Sequence, residues 1–140
     1  MRREGELMLE NNKAAVWIGY VLSGLVILFM VFDAAMKLVP IDAVIAASTE
    51  LGLPATAGFA RGLGILALAC TALYAFPRTS VLGAILLTGY LGGAVATHLR
   101  VGSPVFSHLL FGVYLGILLW GGLYLRDQRL RAIFPFRTTP

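Results

Sequence analysis

Charged side chains are scarce in this sequence, and their scarcity argues against a soluble fold. Asp, Glu, Lys and Arg make up 13% of the 140 residues, whereas hydrophobic residues make up 59%. A soluble domain carries roughly a quarter charged residues, because its surface must be hydrated. We therefore expect an integral membrane protein whose main partner is the lipid bilayer.

Cysteine and clustered metal ligands are also nearly lacking. The single cysteine, Cys70, excludes an intrachain disulfide and a CxxC redox pair, and it is expected to be a small packing residue. No spacing of His, Cys, Asp and Glu matches a metal motif, so no metal site is predicted. The net charge of +4 does not indicate nucleic acid, because the basic residues lie beside apolar stretches.

Long uncharged runs are abundant instead. A spanning helix needs about 20 apolar residues to cross about 30 Å of hydrocarbon. The runs do not alternate apolar with polar residues, as the strands of a membrane barrel would. We predict an all-α integral membrane four-helix bundle, a single domain over residues 1–140, with spans at about 15–38, 57–76, 80–99 and 105–125.

The links between the spans predict antiparallel neighbours. Residues 77–79 and 100–104 are too short to connect anything but adjacent helix ends. The first link is longer and predicts a short interfacial helix at about 41–51, which Gly52 and Pro54 would end. Its apolar residues can share one face, namely Ile41, Val44, Ile45 and Leu51.

Basic residues are unequally divided between the two sides of the predicted membrane. The side with both termini has eight, namely Arg2, Arg3, Lys13, Arg78, Arg126, Arg129, Arg131 and Arg137. The opposite side has Lys37, Arg61 and Arg100. Because Lys and Arg prefer cytoplasmic flanking segments, both termini are predicted to be cytoplasmic.

This orientation brings the polar residues of different spans to the outer end of the bundle. A charge at the centre of a spanning helix costs about 3 kcal/mol on insertion scales, so such residues face a partner or a wet cavity. We hypothesise an outer-side polar pocket, partly covered by the helix at 41–51. Its candidate ligand-binding residues are Asp33, Lys37, Arg61, Tyr90, His98 and His108. The other half of the bundle is expected to be plain apolar packing.

Each candidate also has a structural interpretation. The spacing of Asp33 and Lys37 suits an ion pair that ends the first span. Arg61 has no acid one turn away, so its partner is expected from another element, with Asp33 or Glu50 as candidates. His98 and His108 could hydrogen-bond a quinone carbonyl, carry protons or stabilise the fold. Two imidazoles without further ligands do not favour a haem.

Glycines spaced four residues apart recur in the last three spans. Such pairs let helix backbones approach closely, so we predict packing inside the bundle, with a dimer interface as the alternative. The pairs are Gly58 with Gly62, Gly89 with Gly93, and Gly112 with Gly116.

Three segments resemble the DoxX-like family of small four-helix membrane proteins. They are DAAMK at 33–37, LGLP at 51–54 and LGAILLTGYLGGAVATHLRVG at 82–102, of which AVATHLRVG is the most specific. The resemblance runs from about residue 16 to 134. It implies a multi-pass protein of a bacterial or archaeal cell membrane with links to quinone oxidoreductases. Many relatives carry a glutamate in the second span, whereas residues 62–76 contain no acid here.

Two function hypotheses follow. The first is a redox-associated protein, either an oxidoreductase or a subunit of one, that binds quinone or a similar amphipathic molecule in the outer pocket. In it, Arg61 and His98 would hold a carbonyl oxygen and Asp33 would tune or relay the proton. The alternative is a non-enzymatic membrane subunit or small-molecule carrier, alone, as a homo-oligomer or with a membrane redox partner. No catalytic residue is assigned under either hypothesis.

Overall fold

The computed structural model of the protein describes residues 2–39 and 41–133. Met1, Pro40 and residues 134–140 lie outside the described part, as do the side chains of residues 2–4. The predicted orientation therefore depends partly on undescribed side chains, those of Arg2, Arg3 and Arg137. The single-domain prediction likewise extends beyond the described residues.

Every regular element among the described residues is helical. Four helical segments are long and apolar enough to cross a membrane, which confirms the predicted all-α membrane bundle. The elements are α1 (Arg2–Leu38), α2 (Asp42–Glu50), α3 (Ala57–Ala75), α4 (Ser80–Arg100), a π-helical turn (Val105–Leu109) that leads into α5 (Phe111–Arg126), and α6 (Gln128–Ile133).

Helix α1 begins about four turns before the span predicted at residue 15. Nine of the twelve residues 2–13 are Arg, Glu, Leu, Met or Lys, which favour helix, so the helix continues beyond the apolar run. The predicted boundary at residue 15 is therefore where the apolar run begins, whereas the helix begins earlier.

The four spanning segments form a closed ring of neighbours. Helices α1 and α4 each pack against both α3 and α5, so α1 and α4 face each other diagonally across the bundle. The most deeply buried side chains come from all four spans and include Val26, Met30, Tyr74, Leu87, Leu119 and Leu123. Cys70 is buried in the same core, as predicted.

Glycine packing differs from the prediction. A Cβ added to Gly58, Gly62, Gly89, Gly93 or Gly116 would meet nothing within 4 Å, so the prediction was wrong for five of the six glycines. Of the six, only Gly112 is tightly packed, since its added Cβ would lie 2.8 Å from Val95 Cγ2. Close approaches that the spacing did not predict occur at Gly19, Gly64, Gly83 and Gly122. A four-residue spacing places two glycines on one face, but it does not specify what that face meets.

The short helix in the first link ends as predicted. Gly52 has φ 63°, Gly52 N–H donates to the Thr49 carbonyl, and Leu53 N–H donates to the Ser48 carbonyl, which is a Schellman motif. No residue of α2 is fully buried, and Val44 and Ile45 are half-buried. Ile41 was predicted to share their face, but it is exposed because it precedes the helix.

A buried hydrogen-bond chain crosses the half of the bundle that was expected to be plain apolar packing. Tyr74 O–H donates to the Leu119 carbonyl at 2.8 Å, so Ser23 Oγ–H must donate to the Tyr74 oxygen at 2.9 Å. Tyr74 is fully buried and Ser23 is 3% exposed. The expectation was therefore wrong, because a tyrosine inside an apolar core must bond its hydroxyl.

Candidate ligand-binding cavity

A cavity of about 460 Å³ lies at the end of the bundle opposite the termini. We call it the main cavity, and its end of the bundle the cavity end. Spans α1, α3, α4 and α5, the link after α2 and the π-helical turn all contribute to its wall. The polar residues that line it are Asp33, Lys37, Tyr90, Thr97, His98 and His108, and most of the remaining lining is apolar, including Phe29, Phe59, Leu63, Val95 and Phe111.

Asp33 and Lys37 form the ion pair that their spacing favours. Lys37 Nζ lies 2.5 Å from Asp33 Oδ1, and the two side chains are 21% and 24% exposed. The Tyr90 hydroxyl is close enough to the Asp33 carboxylate to interact with it. One wall of the main cavity thus carries a linked set of three polar groups, in which Lys37 retains unused donors.

The two histidines meet at another part of the wall. Their ring centroids are 5.8 Å apart, with the ring planes inclined by 58°. His98 Nδ1 is hydrogen-bonded to Ser103 Oγ at 3.0 Å, and His108 Nδ1 is hydrogen-bonded to Ser107 Oγ at 2.7 Å. Each serine orients its imidazole, and neither Nε2 atom has a hydrogen-bond partner within the described residues. Among the described residues, no three or more His, Cys, Asp or Glu side chains lie close enough together to hold a metal ion.

Arg61 is the one candidate that does not line the main cavity. Its side chain is exposed, and its Nε–H donates to the Leu38 carbonyl at 3.3 Å. The partner does come from another element, as expected, but it is a backbone carbonyl at the end of α1 instead of Asp33 or Glu50. Arg61 therefore connects two helix ends outside the cavity, because its position on α3 faces away from it.

The model of the DoxX-like family matches residues 21–122, well over half of the chain. The chain belongs to the DoxX-like family. Comparison with curated proteins and with solved structures gives no significant match. The matched range contains every residue that lines the main cavity, so the cavity of this DoxX-like protein lies in its family-defining part.

The π-helical turn of this DoxX-like protein was not predicted. Residues 105–109 were expected to start an ordinary α-helix, but the structure has a π-helix there, directly after Pro104. Such widened turns are rare and occur often at functional sites. The turn carries both His108 and Ser107, so it sets how the imidazole meets the cavity. The sequence signal was weak, since proline only marks the start of the turn.

Arg100 is not among the candidate site residues that the sequence predicts, but it contacts the cavity wall. Its Nη2–H donates to the Leu51 carbonyl at 2.5 Å, and the guanidinium lies over Gly52. Leu51 and Leu53 line the main cavity. Arg100 thus fastens the end of α4 to the link that forms one wall of the cavity of this DoxX-like protein.

Replacing Arg100 with glutamine is expected to loosen the link at 51–53. Losing a charged donor to the Leu51 carbonyl should raise amide hydrogen exchange in this segment about fivefold. Hydrogen-exchange mass spectrometry of the purified protein measures this, with Arg78→Gln at the opposite end as the matched control. Equal exchange at 51–53 in both variants would show that Arg100 does not hold the link.

Proposed function

We propose that this DoxX-like membrane protein binds a quinone, or a similar amphipathic molecule with a carbonyl-bearing head, in the main cavity. The observation that carries the proposal is the convergence of five candidate polar side chains on one largely apolar cavity of about 460 Å³. Small-molecule sites typically measure about 300–1,000 Å³ and combine an apolar wall with a few placed polar groups.

The apolar part of the wall suits a flat ring. Phe29, Phe59 and Phe111 line the cavity, and the rings of Phe29 and Phe111 meet edge to face with centroids 5.0 Å apart. Aromatic side chains favour offset-stacked and edge-on contacts with another ring. A quinone head offers such a ring, and its lipid tail would extend into the surrounding bilayer.

The polar part of the wall supplies donors for carbonyl oxygens. Lys37 has three N–H donors, of which one serves Asp33. The Nε2 atoms of His98 and His108 donate in the tautomer whose Nδ1 accepts the serine hydroxyl. Lys37 would therefore hold the carbonyl oxygen in place of Arg61, which lies outside the cavity. Asp33, paired with Lys37 and close to Tyr90, would tune the charge of this wall.

Two adjacent glycines of α4 allow a sharp test. Gly92 and Gly93 both have open space within 4 Å of an added Cβ, but only Gly93 lines the main cavity. Gly93→Leu should fill the cavity and weaken binding of a short-chain ubiquinone analogue at least about tenfold, or about 1.4 kcal/mol. Gly92→Leu should leave the affinity unchanged. Titration of the detergent-purified protein, with mass spectrometry of copurified lipids, measures both.

Two results would contradict the proposal. One is that no quinone copurifies with the wild-type protein or binds to it. The other is that Gly92→Leu weakens binding as much as Gly93→Leu, since the effect would then come from the helix surface. Arg61→Gln provides a further control and should retain wild-type affinity, because Arg61 is not part of the cavity wall.

The alternative function, a non-enzymatic subunit or carrier, would use the same binding site. The buried core beyond the cavity wall, which includes Val26, Leu87 and Leu119, favours the subunit over the carrier, because a carrier needs a path to the other end. An optical assay of the bound quinone distinguishes an oxidoreductase from a non-enzymatic subunit. A change of its redox state with an added electron donor supports the oxidoreductase, and binding without turnover supports the subunit.

A further inference from the structure

A second cavity, of about 240 Å³, lies at the end of the bundle that holds the termini, beside the C-terminal end of α5. We call it the arginine cavity. Its wall comes from α1, from the link between α3 and α4, and from the junction of α5 with α6. It is lined by Tyr20, Pro77, Leu123, Arg126, Asp127 and Arg129. The main cavity shares none of these residues.

Arg126 is held firmly in this wall. Its Nη2–H donates to the Tyr74 carbonyl at 3.2 Å, near the end of α3. Its guanidinium carbon lies 5.1 Å from the centre of the Tyr74 ring and 5.9 Å from that of Tyr20, as in cation–π contacts. Its Nε is buried without a hydrogen-bond partner in the described part of the chain. The charge is therefore fixed in place while part of its donor capacity is unused.

No salt bridge joins a carboxylate to this cluster among the described side chains. Asp127 is the only acid in the wall, and its Oδ1 accepts the backbone N–H groups of Arg129 and Leu130 at the start of α6. Among the side chains that the structure describes, those of residues 5–39 and 41–133, the only ion pair joins Asp33 to Lys37 at the cavity end. Arg131, next to the cluster, donates to the Leu125 carbonyl and leaves its own Nε unbonded. The guanidinium groups of Arg126, Arg129 and Arg131 thus form no salt bridge within the described part of the chain.

We propose that the arginine cavity binds an anionic phosphate group, with Arg126 and Arg129 donating to its oxygens. The planar fork of arginine matches phosphate oxygens, and it is weakly hydrated, which suits a site at the end of a membrane span. This phosphate has two sources, the headgroup of an anionic phospholipid or free phosphate. Tyr20, which is 53% exposed, gives the cavity a side toward the bilayer, where a glycerol group would lie.

Arg129 is the best position for a test, because its side chain is exposed and Arg126 also holds α3 to α5. Arg78→Gln is the matched control, since it removes one exposed charge at the same end but does not line the cavity. Native mass spectrometry of the full-length protein compares retention of phosphatidylglycerol with that of phosphatidylcholine. A parallel thermal-shift titration uses inorganic phosphate alone.

We expect Arg129→Gln to lower retention of phosphatidylglycerol about tenfold relative to phosphatidylcholine, while Arg78→Gln changes it less than twofold. Loss of lipid retention with no response to inorganic phosphate identifies the lipid as the source. A thermal shift with inorganic phosphate in the wild type that Arg129→Gln abolishes identifies free phosphate. If neither probe distinguishes Arg129→Gln from Arg78→Gln, the proposal is overturned.

Discussion

Replacing Gly83 with alanine is expected to separate α3 from α4 and to lower the free energy of unfolding by about 3 kcal/mol. A Cβ at Gly83 would lie 2.1 Å from Tyr74 N and 2.5 Å from Tyr74 Cα. These are backbone atoms, so no side-chain rotation can relieve the contact. The two helices must move apart, and the tight link at 76–79 leaves them little freedom to do so.

Gly92→Ala is the matched control for this prediction. Gly92 lies on the same helix, and its added Cβ would meet nothing within 4 Å. Alanine favours helix over glycine by about 0.5–1 kcal/mol, so this variant should be neutral or slightly more stable. Unfolding by SDS in mixed micelles compares the two free energies. If both variants unfold at the same SDS fraction, α3 and α4 do not pack as closely as described.

Replacing Tyr74 with alanine is expected to lower the free energy of unfolding by about 3–5 kcal/mol, because a fully buried aromatic ring leaves a large void. Arg126 would also lose the ring beneath its guanidinium. Tyr74→Phe keeps the ring and should cost about 1–2 kcal/mol, the contribution of the buried hydroxyl. Tyr114→Ala, at a residue on α5 that is 43% exposed, should change stability by less than about 1 kcal/mol.

The hydrogen bond between Ser23 and Tyr74 predicts that substitutions of these two residues have coupled effects on stability. Because the Ser23 hydroxyl donates to the Tyr74 oxygen, Ser23→Ala should cost less free energy of unfolding in the Tyr74→Phe background than in the wild type. A double-mutant cycle of SDS unfolding measures this coupling. Strictly additive costs would mean that the two hydroxyls do not interact across α1 and α3.

These variants also separate stability from binding. Gly83 and Tyr74 pack near the termini end of the bundle, whereas Gly93 lines the main cavity at the other end. A substitution that weakens the core should therefore lower stability in the presence and absence of quinone alike. A substitution in the cavity wall should remove only the stabilisation that the ligand adds.

The spans, their number and their antiparallel order were predicted from sequence because they depend on local properties. Apolar length determines whether a helix can cross the membrane, and short links bring consecutive helix ends together. That topology is also why the sequence alone groups Asp33, Lys37, Tyr90, His98 and His108. They lie at the ends of spans that must meet on one side, and the structure brings them to one cavity.

The rotation of each helix about its own axis was not predictable from sequence. In a soluble bundle the apolar stripe marks the buried face, but a membrane helix meets lipid on one face and protein on the other, and both are apolar. Arg61 was therefore assigned to the pocket although it faces away, and five glycines were assigned to helix contacts that they do not make. The partners of Tyr74 and Arg126 were missed for the same reason.

The sequence by itself determined that this DoxX-like chain is a four-span helical bundle and which polar residues share one end of it, because helix length and chain connectivity require no knowledge of packing. Only the tertiary structure decided which glycines meet a neighbouring backbone, which cations face a cavity, and how a π-helical turn presents His108. These properties depend on how each helix is rotated, which is set by the fit of side chains between helices.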